Sequence, residues 1–168
     1  VRDRMVTLAV VLPAYNEAAR LPASLARCSE FFRSRGLAAE IIVVDDGSTD
    51  GTALAFTEAS RAETADVRLR YVPIAHRGKG AAVRTGVLQA SGDPIVFLDA
   101  DLTIPVEIVT EFLAALVRDA DIAVASRYVA GSRVHRPWWR SVMSGTFRVF
   151  ARAVVQGFGN AGSIAARL

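Results

Sequence analysis

Short apolar runs alternate with amphipathic stretches along most of this 168-residue chain. Residues 6–12, 40–45, 67–74, 94–98 and 121–125 are rich in Val, Ile and Leu and short enough to read as strands of a covered sheet. Between them, residues 21–35, 52–61, 79–90 and 105–118 place apolar side chains at helical spacing, and residues 142–156 return to that pattern. Gly36 stands where the first helix should stop, and Pro105 opens the fourth. Ser48, Thr49 and Asp50 precede the second helix as candidate caps. Five such alternations predict an α/β fold, a mostly parallel sheet with helices on both faces. No repeat or linker interrupts it, so residues 1–168 read as one domain.

Sheets of this kind bind ligands beyond the carboxyl ends of their strands. The polar residues cluster there: PAYNE follows the first strand, DDGSTD the second, HRGKG the third, DAD the fourth and SRY the fifth. Asp99-Ala100-Asp101 offers two carboxylates that a hard divalent cation such as Mg2+ or Mn2+ could share, or a helix cap beside a solvated acid. In Asp45-Asp46-Gly47-Ser48-Thr49-Asp50 the hydroxyls and Asp50 suit capping, which leaves two adjacent acids unexplained. A carboxylate there suits ribose hydroxyls or a base edge. Gly78-Lys79-Gly80 puts Lys79 at a helix start, facing either an anion or solvent. No GxGxxG follows a strand, and no phosphate-loop spacing occurs. His76 and His135 show no ligand spacing and read as surface residues.

Charge is unevenly placed. Residues 121–168 hold seven of the 20 Lys and Arg but one of the 17 Asp and Glu, so a basic C-terminal third follows an acidic body. Arg127, Arg133, Arg136 and Arg140 are interleaved there with Tyr128, Trp138 and Trp139, a set suited to phosphate, a membrane interface or a solvated basic loop. Residues 142–168 form a basic, amphipathic segment for a membrane surface or for packing on the domain. No nucleic-acid motif accompanies the charge, so nucleic acid is not an expected partner. The single cysteine, Cys28, falls in a helical pattern as a small buried thiol and fits a reducing compartment. No apolar run reaches the roughly 18 residues of a membrane span. A cytoplasmic protein, at most peripheral to the membrane, is expected.

The segments VVLPAYNE, EIIVVDDGSTDGT, GKGAAVRTG and FLDADL, in this order, resemble family 2 glycosyltransferases of the GT-A, Rossmann-like fold, and within them the polyprenyl-phosphate (dolichyl-phosphate) enzymes. GKGAAVRTG and the downstream SRY look closer to the glucosyltransferase branch than to the mannosyltransferase branch. The resemblance implies that residues 6–141 bind a nucleotide-sugar donor, with Pro13, Tyr15, Glu17, Val44 and Asp46 around base and ribose. Asp99, Ala100 and Asp101 would hold the divalent metal and the diphosphate, and Lys79, Arg127 and Arg140 are candidate phosphate contacts. It implies inverting transfer of a hexose, UDP-glucose favoured over GDP-mannose, to a polyprenyl phosphate on the cytoplasmic membrane face. An enzyme with a hydroxyl acceptor would want a base carboxylate downstream, where only Asp121 stands. Residues 157–168 depart from the DTQCGFK-like continuation of such enzymes, so the C-terminal part reads as truncated. A donor-binding module without turnover is the remaining alternative.

Overall fold

A computed structural model of the chain describes residues 8–62, 66–118 and 120–125. Its elements run β1 (Leu8–Ala14), α1 (Leu21–Ser34), β2 (Ala39–Asp45), α2 (Thr52–Ala59) with a 3-10 turn at Ser60–Ala62, β3 (Val67–Pro73), α3 (Lys79–Gln89), β4 (Ile95–Phe97) and α4 (Ile108–Val117). Two compact units result, Val1–Leu113 and Ala114–Leu168, and the sheet lies in the first.

The α/β architecture expected from the apolar pattern is present: four parallel strands in the order β3-β2-β1-β4. Successive β–α units build outward from β1 to β3, and then β4 returns to the other side of β1. That reversal is a topological switch point, where an open parallel sheet splays its loops apart and leaves a crevice. Register sharpens the geometry. Ala14 pairs with Asp45 and Asp45 with Pro73, so the first three strands end level.

Side chains of β1 alternate between two cores because successive residues of a strand point to opposite faces. Leu8, Val10 and Leu12 join Leu21, Leu25, Phe32, Ile41 and Val43 on the α1–α2 side. Val11, Ile42 and Val44 meet Ala82 of α3 on the other. α1 ends in a Schellman motif: Gly36 takes φ 64°, its N–H reaches Arg33 O, and the Leu37 N–H reaches Phe32 O. Cys28 is buried within α1, and burial pushes its thiol up to about 12, which leaves it inert at neutral pH.

Glu40 interrupts β2, which is otherwise apolar up to Asp45 at its end. It is 0% exposed, and it is satisfied by Arg70 Nη1 at 2.7 Å and by the Ser91 N–H and hydroxyl at 2.9 and 2.7 Å.

Two expectations need correction. Residues 121–125 form no strand, and the sheet among the described residues has four members. Ile122 and Val124 are 66% and 51% exposed, so their apolar character does not reflect burial in a ladder. The fourth helix starts at Ile108 rather than 105, since residues 105–110 first pass through turns in which Ile108, Val109 and Thr110 N–H groups bond three residues back. The helical pattern at 142–156 lies outside the described residues.

Candidate active site

Four of the five polar clusters converge at the switch point. Pro13, Ala14, Tyr15, Glu17, Asp46, Lys79, Ala82, Asp99, Ala100 and Asp101 line one cavity of about 300 Å³. This is the lower end of the range for small-molecule sites. Arg127 and Arg140 lie outside the described residues. Val44 does not line the cavity: it is 0% exposed, packed with Val11, Ile42 and Ala82, because strand alternation turns it into the α3-side core.

Ser48 and Asp50, taken for helix caps, and Thr52 at the start of the helix hold a different loop. Ser48 Oγ accepts the Asn16 N–H at 2.8 Å, Asp50 Oδ2 the Ala18 N–H at 3.0 Å, and Thr52 Oγ1 the Glu17 N–H at 3.0 Å. Asn16 answers by accepting the Thr49 N–H at 2.9 Å through Oδ1, from a left-handed conformation at φ 56° that asparagine tolerates. The second loop therefore saturates the backbone donors of the first and fixes Tyr15 and Glu17 at the rim. Only Asp50 also serves α2, accepting the Thr52 N–H at 3.0 Å. Hydrogen bonds from Thr52, then from the Ala18 N–H, keep the Asp50 carboxyl below its ordinary range.

The two adjacent acids divide their tasks. Asp45 ends β2, accepts the Ser48 N–H at 2.9 Å and is bonded by the Tyr71 hydroxyl. It is scaffold. Asp46 turns to the cavity, and its carboxylate accepts the Arg77 and Gly78 N–H groups, each at 2.8 Å. His76 Nδ1 lies 2.9 Å from Asp46 Oδ2 and 2.9 Å from the Asp46 carbonyl. Burial opposes ionisation of Asp46, but those N–H bonds and His76 outweigh it, and the carboxyl sits below the usual range.

His76 is the residue the sequence did not single out. Its ring stacks on Tyr15 at 4.4 Å between centroids and 29° between planes. The close approach is built in: Gly47 has φ 73°, and a Cβ there would lie 3.0 Å from the His76 backbone nitrogen and 3.1 Å from its Cβ. The available signal was the pairing of that glycine with a ring one strand later, which spacing alone does not reveal.

At the far wall, β4 leads into Leu98, whose N–H bonds to Val11 O at 3.1 Å and carries the chain on to Asp99 and Asp101. Lys79, the first residue of α3, is ion-paired with Asp99. Asp101 accepts the Thr103 N–H at 2.9 Å, and Arg20 lies 3.9 Å away. The Thr103 hydrogen bonds, with a smaller share from Arg20, hold the Asp101 carboxyl below its usual range. Glu17 Oε2 is buried without a hydrogen-bond partner, with Arg20 3.5 Å away.

The donor set fits a hard divalent cation. Asp99 and Asp101 are part exposed, at 38% and 33%, and they offer oxygen only. No cluster of three or more His, Cys, Asp or Glu that could hold a metal occurs among the described residues. A pair of carboxylates such as Asp99 and Asp101 can serve a magnesium-type site, in which one or two carboxylates are completed by substrate phosphates and water.

Comparison with known proteins shows the family to which the chain is similar. The family model described as Glycosyl transferase family 2 matches residues 9–166. A dolichol-phosphate mannosyltransferase of Pyrococcus furiosus is 36% identical over 138 residues, which is 82% of this chain and 38% of that protein. A dolichyl-phosphate beta-glucosyltransferase of Drosophila melanogaster is 40% identical over 134 residues, 71% of this chain and 40% of that protein. The chain thus spans less than half the length of either relative. Among solved structures, glucosyl-3-phosphoglycerate synthase from Mycobacterium tuberculosis, in complex with Mn2+, UDP and glucosyl-3-phosphoglycerate, superposes with a TM-score of 0.51. It is 31% identical, and the match covers 68% of this chain and 40% of that one.

Proposed function

This chain belongs to glycosyl transferase family 2, and on that premise we propose that it is the donor-binding part of an inverting enzyme that moves a hexose from a nucleoside diphosphate to a polyprenyl phosphate. The observation that carries the proposal is the convergence of Tyr15, Asp46, Lys79, Asp99 and Asp101 on one cavity. An aromatic face for a base, a buried carboxylate for hydroxyl or base donors, and a lysine beside an acid pair match the parts of a nucleotide sugar. The two lipid-phosphate sugar transferases described above support the acceptor class.

Asp99 and Asp101 are the residues that would hold Mg2+ or Mn2+, and a cation bound there supplies neutralisation of the leaving diphosphate. Lys79 adds a mobile positive charge at the helix start, and the pinned PAYNE loop orients the nucleoside. A phosphate acceptor is already anionic near neutral pH, so the protein need supply little general-base assistance. Arg127 and Arg140 are assigned to donor or acceptor phosphates, since a planar guanidinium fork can donate two parallel N–H bonds to a pair of phosphate oxygens. The seven arginines of residues 121–168 support peripheral association with an anionic membrane surface. No helix among the described residues is long and apolar enough to cross a membrane.

UDP-glucose is the favoured donor on the likeness of GKGAAVRTG alone, since the relatives include both a mannosyltransferase and a glucosyltransferase and do not divide the two sugars. A transfer assay with labelled UDP-glucose and GDP-mannose, a short polyprenyl phosphate and Mn2+ tests the whole reading. Lipid-linked glucose that disappears in EDTA is expected. Lipid-linked mannose alone would reverse the donor choice, and failure of both UDP and GDP to bind in a parallel calorimetric titration would remove the nucleotide-site reading.

A further inference from the structure

We propose that His76 is a positioning residue for the nucleotide base, acting through Tyr15 as the second ring of an aromatic wall whose orientation Asp46 sets. The inference rests on the donor-site reading above and goes beyond it, because no motif or relationship assigns His76 a role.

Three observations on separate elements meet in this ring. Tyr15 stands at the end of β1, lines the cavity and is 47% exposed, so its ring has a free face for a flat heterocycle. Its ring also stacks on His76, 4.4 Å between centroids. An isolated surface tyrosine would sample several rotamers, and each would cost entropy to fix when ligand binds. The imidazole removes that freedom only if it is itself held, and it is: Nδ1 lies 2.9 Å from Oδ2 of Asp46, a residue that is 2% exposed. The Asp46 carboxylate is in turn pinned by the Arg77 and Gly78 N–H groups. Gly47, with no Cβ to obstruct, lets the two loops close to this distance.

The same carboxylate therefore faces the cavity and orients the ring beneath the base platform. Replacing His76 should loosen Tyr15 without disturbing Asp99, Lys79 and Asp101 at the other wall. The effect should fall on the part of a ligand that stacks and spare the part that carries phosphate. Stacked aromatic pairs are worth an amount equivalent to about three- to tenfold in affinity.

The test uses the full 168-residue chain and calorimetry with UDP, GDP and inorganic pyrophosphate, each with Mn2+. His76→Ala should weaken the nucleotide that wild type binds by about three- to tenfold and leave manganese pyrophosphate unchanged. His76→Phe, which restores a ring without the Nδ1 contact, should recover about half of the loss on a logarithmic scale, and His76→Gln should recover less. Unchanged nucleotide affinity in His76→Ala overturns the proposal. So does an equal loss for pyrophosphate, which would mark His76 as a general support of the loops. If wild type binds manganese pyrophosphate but neither nucleotide, the nucleotide reading of the cavity fails and this proposal falls with it.

Discussion

Lys79 and Asp99 are ion-paired across the mouth of the cavity, so each carries the counter-charge that the other would exchange for a ligand. Both side chains are part exposed, at 58% and 38%, and a pair in that setting contributes below about 1 kcal/mol to folding. Lys79→Met should therefore leave the urea midpoint nearly unchanged. It should nonetheless weaken nucleoside diphosphate binding by about tenfold, the scale of one lost charge-assisted contact. A variant that binds as well as wild type would place Lys79 outside the phosphate site.

Asp101 differs from Asp99 in being held by backbone, through the Thr103 N–H at 2.9 Å. A carboxylate fixed in that way is the better organised of the two metal candidates. Asp101→Ala should lower Mn2+-supported nucleotide affinity by about tenfold or more, and EDTA should bring wild type down to the level of the variant. Calorimetry showing wild type indifferent to EDTA would refute a metal role for the acid pair.

Gly86, with Ala82, is where α3 packs on the sheet. A Cβ there would collide with the Val11 side chain and come within 3.1 Å of Val44 Cγ2. Gly86→Ala should cost about 1–3 kcal/mol by overpacking, less a partial return from better helix propensity. It should also lower nucleotide affinity by shifting Lys79 at the far end of the same helix. Gly80, which has open space around it, is the control: Gly80→Ala should be neutral or stabilising by up to about 1 kcal/mol. Chemical denaturation of both variants checks the contrast.

The central strands β1 and β2 were legible because burial on both faces writes near-continuous apolar runs, the edge strand β3 because apolar residues alternate there with Arg68 and Arg70, and the helices between them carry their own spacing. Polar residues at the strand ends marked the edge where the cavity lies. What escaped was chemistry that depends on contacts between distant loops. Ser48, Asp50 and Thr52 have the composition of a helix cap, and nothing local shows that they serve N–H groups 32 to 35 residues away. The Asp45–Asp46 pair could not be divided into scaffold and site before Tyr71 and His76 were in place. Residues 121–125 were misread because apolar content records a need for cover and does not say whether backbone pairing supplies it.

Acid should weaken the fold in a definite direction. At Glu40 burial opposes ionisation, but Arg70 and the Ser91 N–H and hydroxyl outweigh it; at Asp46 the Arg77 and Gly78 N–H groups and His76 do the same. Both carboxyls are lowered from ordinary values of 4.5 and 3.8. An unfolded chain then binds more protons than the folded one in that region, so stability rises with pH there. The contribution is complete above those ordinary values and drains away as pH falls through the lower folded ones. Urea midpoints should hold roughly level near neutrality and drop below about pH 4.5, with a shallower drop in Glu40→Gln. Parallel profiles for the two proteins would show that the charge on Glu40 is not linked to folding.

The mutual hydrogen bonding of the first two loops makes them one unit of exchange for anyone recombining such enzymes. A graft that imports residues 13–18 alone strands the N–H groups of Asn16, Glu17 and Ala18 opposite foreign acceptors. Residues 45–52 imported alone leave Ser48, Asp50 and Thr52 without the backbone they were shaped to hold. Crossover points that keep both segments from one parent preserve the rim, and new base preferences should be sought by moving the pair together.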